Sequence, residues 1–84
     1  MGRTLGPEHP LLGTSLNDLA AIYHVQRHYA WAEPLYERAL AIREKALGPE
    51  HPFVAVTLAN LAELDRARGI YGRAALRYAR AVRI

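Results

Sequence analysis

The sequence predicts an all-α fold: an α-solenoid of two helix–turn–helix repeats, four antiparallel helices in all. Three observations carry this. The hexapeptide Leu-Gly-Pro-Glu-His-Pro stands at 5–10 and again at 47–52, an offset of 42 in a chain of 84 residues. At the same offset Leu16 matches Leu58, Leu19 matches Leu61, Tyr29 matches Tyr71, Tyr36 matches Tyr78 and Ala39 matches Ala81. Within each unit the apolar residues recur three and four apart, the spacing that gathers side chains on one face of a helix. The units span about 5–46 and 47–84, and the chain reads as a single repeat domain over 1–84.

Each element has its own signals. In the first helix, expected over 10–26, Leu12, Leu16, Leu19, Ala20 and Tyr23 make one apolar face, and Pro10 suits the first turn, where a missing N–H is harmless. Gln26-Arg27-His28 makes a short turn. The second helix, 29–47, buries Tyr29, Ala32, Leu35, Tyr36, Ala39 and Leu40. Pro34 lies inside it and should bend it slightly. Gly48 is expected to stop it in a left-handed conformation, and Pro49 prevents continuation. The second unit repeats the plan with helices at 52–68 and 70–84 and Gly69 at the turn. Small residues at 20, 32, 39, 62, 74 and 81 let the helices approach closely, and Tyr36, Ala39, Leu19, Leu58 and Leu61 are expected to be nearly inaccessible to solvent.

Composition narrows the function classes. An apolar share of 51% with 23% charged residues is that of a folded chain, not a disordered one. With no cysteine there is no disulfide or thiolate site. No stretch approaches the roughly 18 uncharged apolar residues of a membrane span, and Met1-Gly2-Arg3-Thr4 has no apolar run behind it. A cytoplasmic protein without a membrane partner is expected. Charge is divided along the chain. Residues 1–65 hold five basic residues against all eight acids, a net of −3, and residues 66–84 hold six arginines and no acid, a net of +6.

On Leu16, Leu19, Ala20, Tyr23, Tyr29, Ala32, Tyr36 and Ala39, with the repeated Leu-Gly-Pro-Glu-His-Pro junction, the chain resembles the tetratricopeptide repeat family. The likeness covers residues 5–84 and is nearest to the 42-residue variety found in kinesin light chains and in many bacterial repeat arrays. It implies a scaffold for protein partners rather than one reaction. Three positions depart from the pattern. The turn glycine is Gly69 in unit two but Arg27 in unit one; the aromatic Tyr23 becomes Asp65; the apolar Leu35 becomes Arg77.

Catalysis and metal binding have little support. Ser15, the single serine at a helical position near an acid (Asp18), has no neighbouring histidine in the chain. His24 and His28 have a metal-compatible spacing but no third ligand, so no metal and no cofactor is expected. His9 and His51 are read as pinning helix starts. The arginine-rich end invites comparison with nucleic-acid binders, but its aromatics, Tyr71 and Tyr78, are assigned to the core, which leaves no stacking platform. A solvated helix face is the plainer reading.

The family resemblance places a peptide-binding face on the first helices of the units: Asn17, Asp18, Ala21, His24 and Val25 in unit one, and Ala59, Asn60, Glu63, Arg66 and Ala67 in unit two. Asn17 and Asn60 would hold the backbone of an extended peptide, since an amide donates and accepts at once. The expected function is a non-enzymatic scaffold binding a protein or peptide segment on this concave face. The alternative is a structural self-assembling unit, a homodimer or head-to-tail stack without a peptide ligand. It is prompted by the small number of repeats and by the uncovered ends, since arrays need about three repeats or more. Its association is expected to weaken with salt, given the acidic-to-basic asymmetry. Asp65 and Arg77 further suggest that unit two is a C-terminal cap. Asp65 should then meet an arginine (Arg77, Arg68 or Arg73) without being fully buried.

Overall fold

A computed structural model describes residues 9–84, so residues 5–8 of the first junction copy lie outside that range. Four helices follow in order: α1 (Pro10–Val25), α2 (Tyr29–Leu47), α3 (Pro52–Ala67) and α4 (Tyr71–Arg83). No strand occurs among the described residues. α1 and α2 pair as one antiparallel hairpin, α3 and α4 as the next, and α2 packs on α3 to join them. The Cα trace measures 46 × 29 × 13 Å, a slab one layer of helix pairs deep.

The repeated junction works as a helix start. His9 and His51 are the N-caps of α1 and α3, and the Nδ1 of each ring accepts a hydrogen bond from a backbone N–H, from Leu11 at 3.1 Å and from Phe53 at 3.0 Å. Proline follows each histidine in the first turn, where its lack of an N–H is harmless. The turns between paired helices are also alike. His28 N–H donates to the Tyr23 carbonyl at 2.8 Å, and Ile70 N–H to the Asp65 carbonyl at 2.8 Å, each closing a six-residue C-terminal loop. That loop needs a positive φ one residue earlier; Gly69 takes 80°, and Arg27 takes 66° despite its Cβ.

Gly48 ends α2 differently from the sequence expectation. Its φ of 96° is positive, but its ψ of 151° is extended, so the residue lies not in the left-handed helical well but in a region essentially confined to glycine. α2 runs unbroken through Pro34.

The core runs through Leu16, Ala20, Ala32, Tyr36, Ala39, Ile42, Val54, Leu58, Leu61, Leu64 and Ala74, all buried. Of the five residues expected to be inaccessible, Tyr36, Ala39, Leu58 and Leu61 are so, while Leu19 is 40% exposed. Leu19 occupies in α1 the position of Leu61 in α3. α3 has α2 packed against that side, and α1 has no helix there among the described residues. Tyr71 is a second correction: it is exposed rather than part of the core. Its copy Tyr29 is covered by His24, ring centroids 5.7 Å apart. The residue copying His24 is Arg66, which turns away to Glu63 instead.

Ion pairs hold the two hairpins together along their second helices. The backbones of α2 and α4 do not come close, and long side chains span the gap. Arg73 reaches Glu33 at 2.8 Å, Arg77 reaches Glu37 at 2.6 Å, and Arg80 pairs with Glu44; Arg68, capping α3, also meets Glu33 at 2.6 Å. Asp65 of α3 sits at the root of this ladder. It is fully buried, with Arg73 and Arg77 each at 2.8 Å. The expected arginine partners are present, but the expected exposure is not. Because the same guanidinium groups reach Glu33 and Glu37 of unit one, the cluster belongs to the joint between units. The reading of Asp65 as a water-facing cap is therefore corrected. The acidic first part and basic last part of the chain are largely mated to each other.

Candidate functional site

The face made by α1 and α3 carries the residues expected to bind a peptide. At its centre Asn60 Nδ2 donates to Asn17 Oδ1 at 3.0 Å, tying α3 to α1. Asn17 is nearly buried at 8% exposure, so its amide is held in place rather than displayed. Each carboxamide has four hydrogen-bonding positions, and this bond takes one from each. Asp18 is exposed beside the pair. Toward the C-terminal ends of the helices, Ala21 packs on the central cluster, and the His24 ring lies edge-on to Tyr29 and Tyr36.

Glu63 copies Ala21 and anchors the far end of the face. It accepts from Arg66 at 2.8 Å and from the Tyr78 hydroxyl of α4. The Tyr78 hydrogen bond, then that of Arg66, holds the Glu63 carboxyl below its ordinary range, and His24 adds a smaller electrostatic push in the same direction. The same bond to Glu63 raises the Tyr78 hydroxyl. The structure thus brings together Asn17 with Asn60 and Glu63 with Arg66, and places His24 near enough to Glu63 to be felt electrostatically. Val25 is exposed at the edge of the α1 end face, and Ala59 and Ala67 add no polar group. A surface depression of about 460 Å³ lies elsewhere, between Pro49, Glu50, Arg80, Arg83 and Ile84.

A second polar centre was not anticipated from the sequence. Arg43 of α2 is buried at 5% exposure. Its Nη1 donates to the Thr57 hydroxyl at 2.8 Å and to the Phe53 carbonyl at 3.1 Å; its Nη2 donates to the Thr14 hydroxyl at 3.2 Å. The Phe53 ring lies 5.2 Å from the guanidinium carbon, within cation–π range. Burial lowers the Arg43 pKa, and the negative charge of Asp18 opposes that shift. Gly13 leaves room for this side chain, since a Cβ there would come within 3.2 Å of Arg43 Cγ. One signal did exist in the sequence: Tyr36, Ala39 and Arg43 fall on one helical stripe.

The histidines each have a structural partner. His24 packs on tyrosines, and His28 stacks on Trp31 with centroids 4.7 Å apart. No group of three potential metal ligands gathers among the described residues.

A model of the tetratricopeptide repeat matches residues 12–53, which is 42 of the 84 residues. The chain belongs to the tetratricopeptide repeat family. The matched segment runs from the first turn of α1, through α2 and the second Leu-Gly-Pro-Glu-His-Pro junction, into α3. Tetratricopeptide repeats mediate protein–protein interaction and scaffolding, and the family is a non-enzymatic one. No curated protein matches the chain.

Proposed function

We propose that this pair of tetratricopeptide repeats is a non-enzymatic scaffold that binds an extended peptide or protein segment along the α1/α3 face. The observation that carries the reading is the Asn17–Asn60 pair. It fixes two carboxamides side by side at the centre of the face, with the more open Asn60 held by Asn17 and keeping hydrogen-bonding positions for a peptide backbone. A pre-set pair costs a ligand less ordering than two free side chains would. Asp18, His24, Glu63 and Arg66 flank it with both signs of charge, which supports selectivity for a mixed-charge segment. Ala21 supplies a small apolar floor.

The ion pairs also bear on the nucleic-acid alternative. Arg68, Arg73, Arg77 and Arg80 are paired with Glu33, Asp65, Glu37 and Glu44, and that neutralisation argues against a phosphate-binding surface.

A random 12-residue peptide library panned on the wild-type chain, followed by titration of enriched peptides on Asn60→Ala and Arg66→Glu, tests the proposal. Enriched peptides should lose about tenfold in affinity on Asn60→Ala, near the worth of one or two backbone hydrogen bonds. Failure to enrich any peptide, or peptides indifferent to both substitutions, would refute it.

A further inference from the structure

The 42-residue repeat lets one joint of this molecule be compared with the two ends that copy it. In α3, Val54, Thr57, Leu61 and Leu64 are all fully buried because α2 lies against them. Their copies in α1 are Leu12, Ser15, Leu19 and Ile22. Leu19 is 40% exposed, Ile22 is 54% exposed and Ser15 is open to solvent. Beside them is a shallow depression of about 310 Å³ lined by Ala21, Ile22, Val25 and Gln26. α1 therefore presents the face that, one unit later, receives a second helix. The copy of that second helix is α4, whose Val82 is 83% exposed.

The side chains of the two ends match each other in a way that the internal joint explains. Inside the molecule Glu33 and Glu37 meet Arg73 and Arg77, with Asp65 behind both arginines. One unit onward, the acid positions hold Ala75 and Ala79. One unit back, the arginine positions hold Trp31 and Leu35, and the Asp65 position holds Tyr23. These five charged positions are thus held by apolar or aromatic residues at the two ends, while Arg38, the copy of Arg80, keeps its charge and is exposed. The geometry behind them is kept as well. Tyr23 lies edge-on to Trp31 with centroids 5.5 Å apart, where Asp65 lies against Arg73. Trp31 is 58% exposed, while the copied arginine is engaged with α2.

We infer that a second copy of this chain stacks head-to-tail on the first, its α4 seated on α1 of the neighbour, with Ala75 against Trp31 and Ala79 against Leu35. The joint repeats the internal one in shape and replaces its ion pairs with small-against-large apolar contacts. A helix bearing acids there, as α2 does, would set carboxylates against an indole; α4 has alanines. The contact is heterologous, so it leaves one free face at each end and builds open stacks rather than closed dimers. It develops the self-assembling alternative; it borders the α1/α3 face at Ala21 and Val25 but does not use Asn17, Asn60, Glu63 or Arg66, so it stands or falls apart from peptide binding. Since the charged residues are spent inside each copy, the association is only weakly dependent on salt, contrary to the sequence expectation.

Sedimentation velocity across a dilution series, with the emission of Trp31 (the single tryptophan) followed in parallel, tests the inference. The wild-type chain should gain mass with concentration, at low and high salt alike, with a blue shift as the indole is covered. Ala75→Glu and Trp31→Arg alter exposed side chains at opposite ends, and each alone should give a monomer with unchanged helical circular dichroism. Mixing the two variants should restore association, because each keeps the wild-type face the other has lost. The altered pair of faces should also join, as Glu33 does with Arg73, and that second joint alone should dissolve in high salt. A wild-type chain that stays monomeric at its solubility limit overturns the proposal. So does Ala75→Glu that associates normally while Trp31→Arg does not, the signature of a symmetric pairing through α1. Failure of the mixed variants to associate overturns it as well.

Discussion

Leu19 and Leu61 hold the same place in their units, yet one is 40% exposed and the other fully buried. Truncation should separate them. Leu61→Ala is expected to cost roughly 2–5 kcal/mol, the range for a buried leucine whose cavity relaxes only in part. Leu19→Ala should cost less than about 1 kcal/mol in dilute solution, since little of its contact area is lost. Urea titrations of both variants, at concentrations where the chain is monomeric, would check the contrast. Arg27 offers a second residue-scale test. It adopts φ 66° where its copy is glycine, and a left-handed residue with a Cβ is strained by about 1–2 kcal/mol. Arg27→Gly should raise stability by up to about 1 kcal/mol once the looser unfolded chain is counted, read as a higher melting temperature. The unusual Arg27 was legible in the sequence because the repeat set it opposite Gly69. The exposure of Leu19 was not, because a repeat pattern says which face is apolar and not whether a neighbour covers it.

At the scale of elements, the helices were legible almost residue for residue, because local chemistry marks many of their boundaries: histidine and proline at the starts of α1 and α3, Gly48 and Gly69 after α2 and α3. The capping role of His51 predicts that His51→Ala loses about 1 kcal/mol and that His51→Asn, which keeps an acceptor at the N-cap, retains most of it. A thermal melt of the two variants decides this. The pairing between helices was only half legible. Asp65 and Arg77 stood out as departures, and an arginine partner for Asp65 followed from the cost of an isolated buried charge. What the departures alone did not show was that Glu33 and Glu37 complete the cluster from the other unit. The signal was the matched spacing, four residues between the acids and four between Arg73 and Arg77. Asp65→Leu leaves two guanidinium groups short of a partner at the buried end of this cluster. It should cost about 3 kcal/mol, toward the lower end of what removing one partner of a buried ion pair costs, because Glu33 and Glu37 remain.

At the scale of the whole molecule, the candidate face was legible in outline from the family resemblance. The neighbours of each residue were not, since Asn17 meeting Asn60 depends on how two units stack. One consequence can be read by pH. Tyr78 and Arg66 hold the Glu63 carboxyl below its ordinary range. A depressed carboxyl contributes stability above its unfolded pKa and gives it up as pH falls through the folded value. The chain should therefore lose stability in the acid range below ordinary carboxylate titration, and Tyr78→Phe should flatten that part of the profile. Melting temperatures of both proteins across acidic buffers would show whether the slopes differ.

Arg43 has a bearing on how the chain folds. Its one guanidinium touches Thr14 of α1 and Phe53 and Thr57 of α3. In a linear array each unit has an intrinsic stability and a coupling to its neighbour, and the coupling sets whether the units melt together or one by one. Two helical hairpins this small are each expected to be unstable alone. Two of its three acceptors, the Phe53 carbonyl and the Thr57 hydroxyl, belong to the second unit, so a first unit folded alone would lose them and partial structures become costly. The array should thus unfold in one sharp transition, and Arg43→Met should broaden it into a gradual loss beginning at one end. Hydrogen exchange would distinguish the cases: uniform protection in α1 through α3 for the wild type, graded protection for the variant.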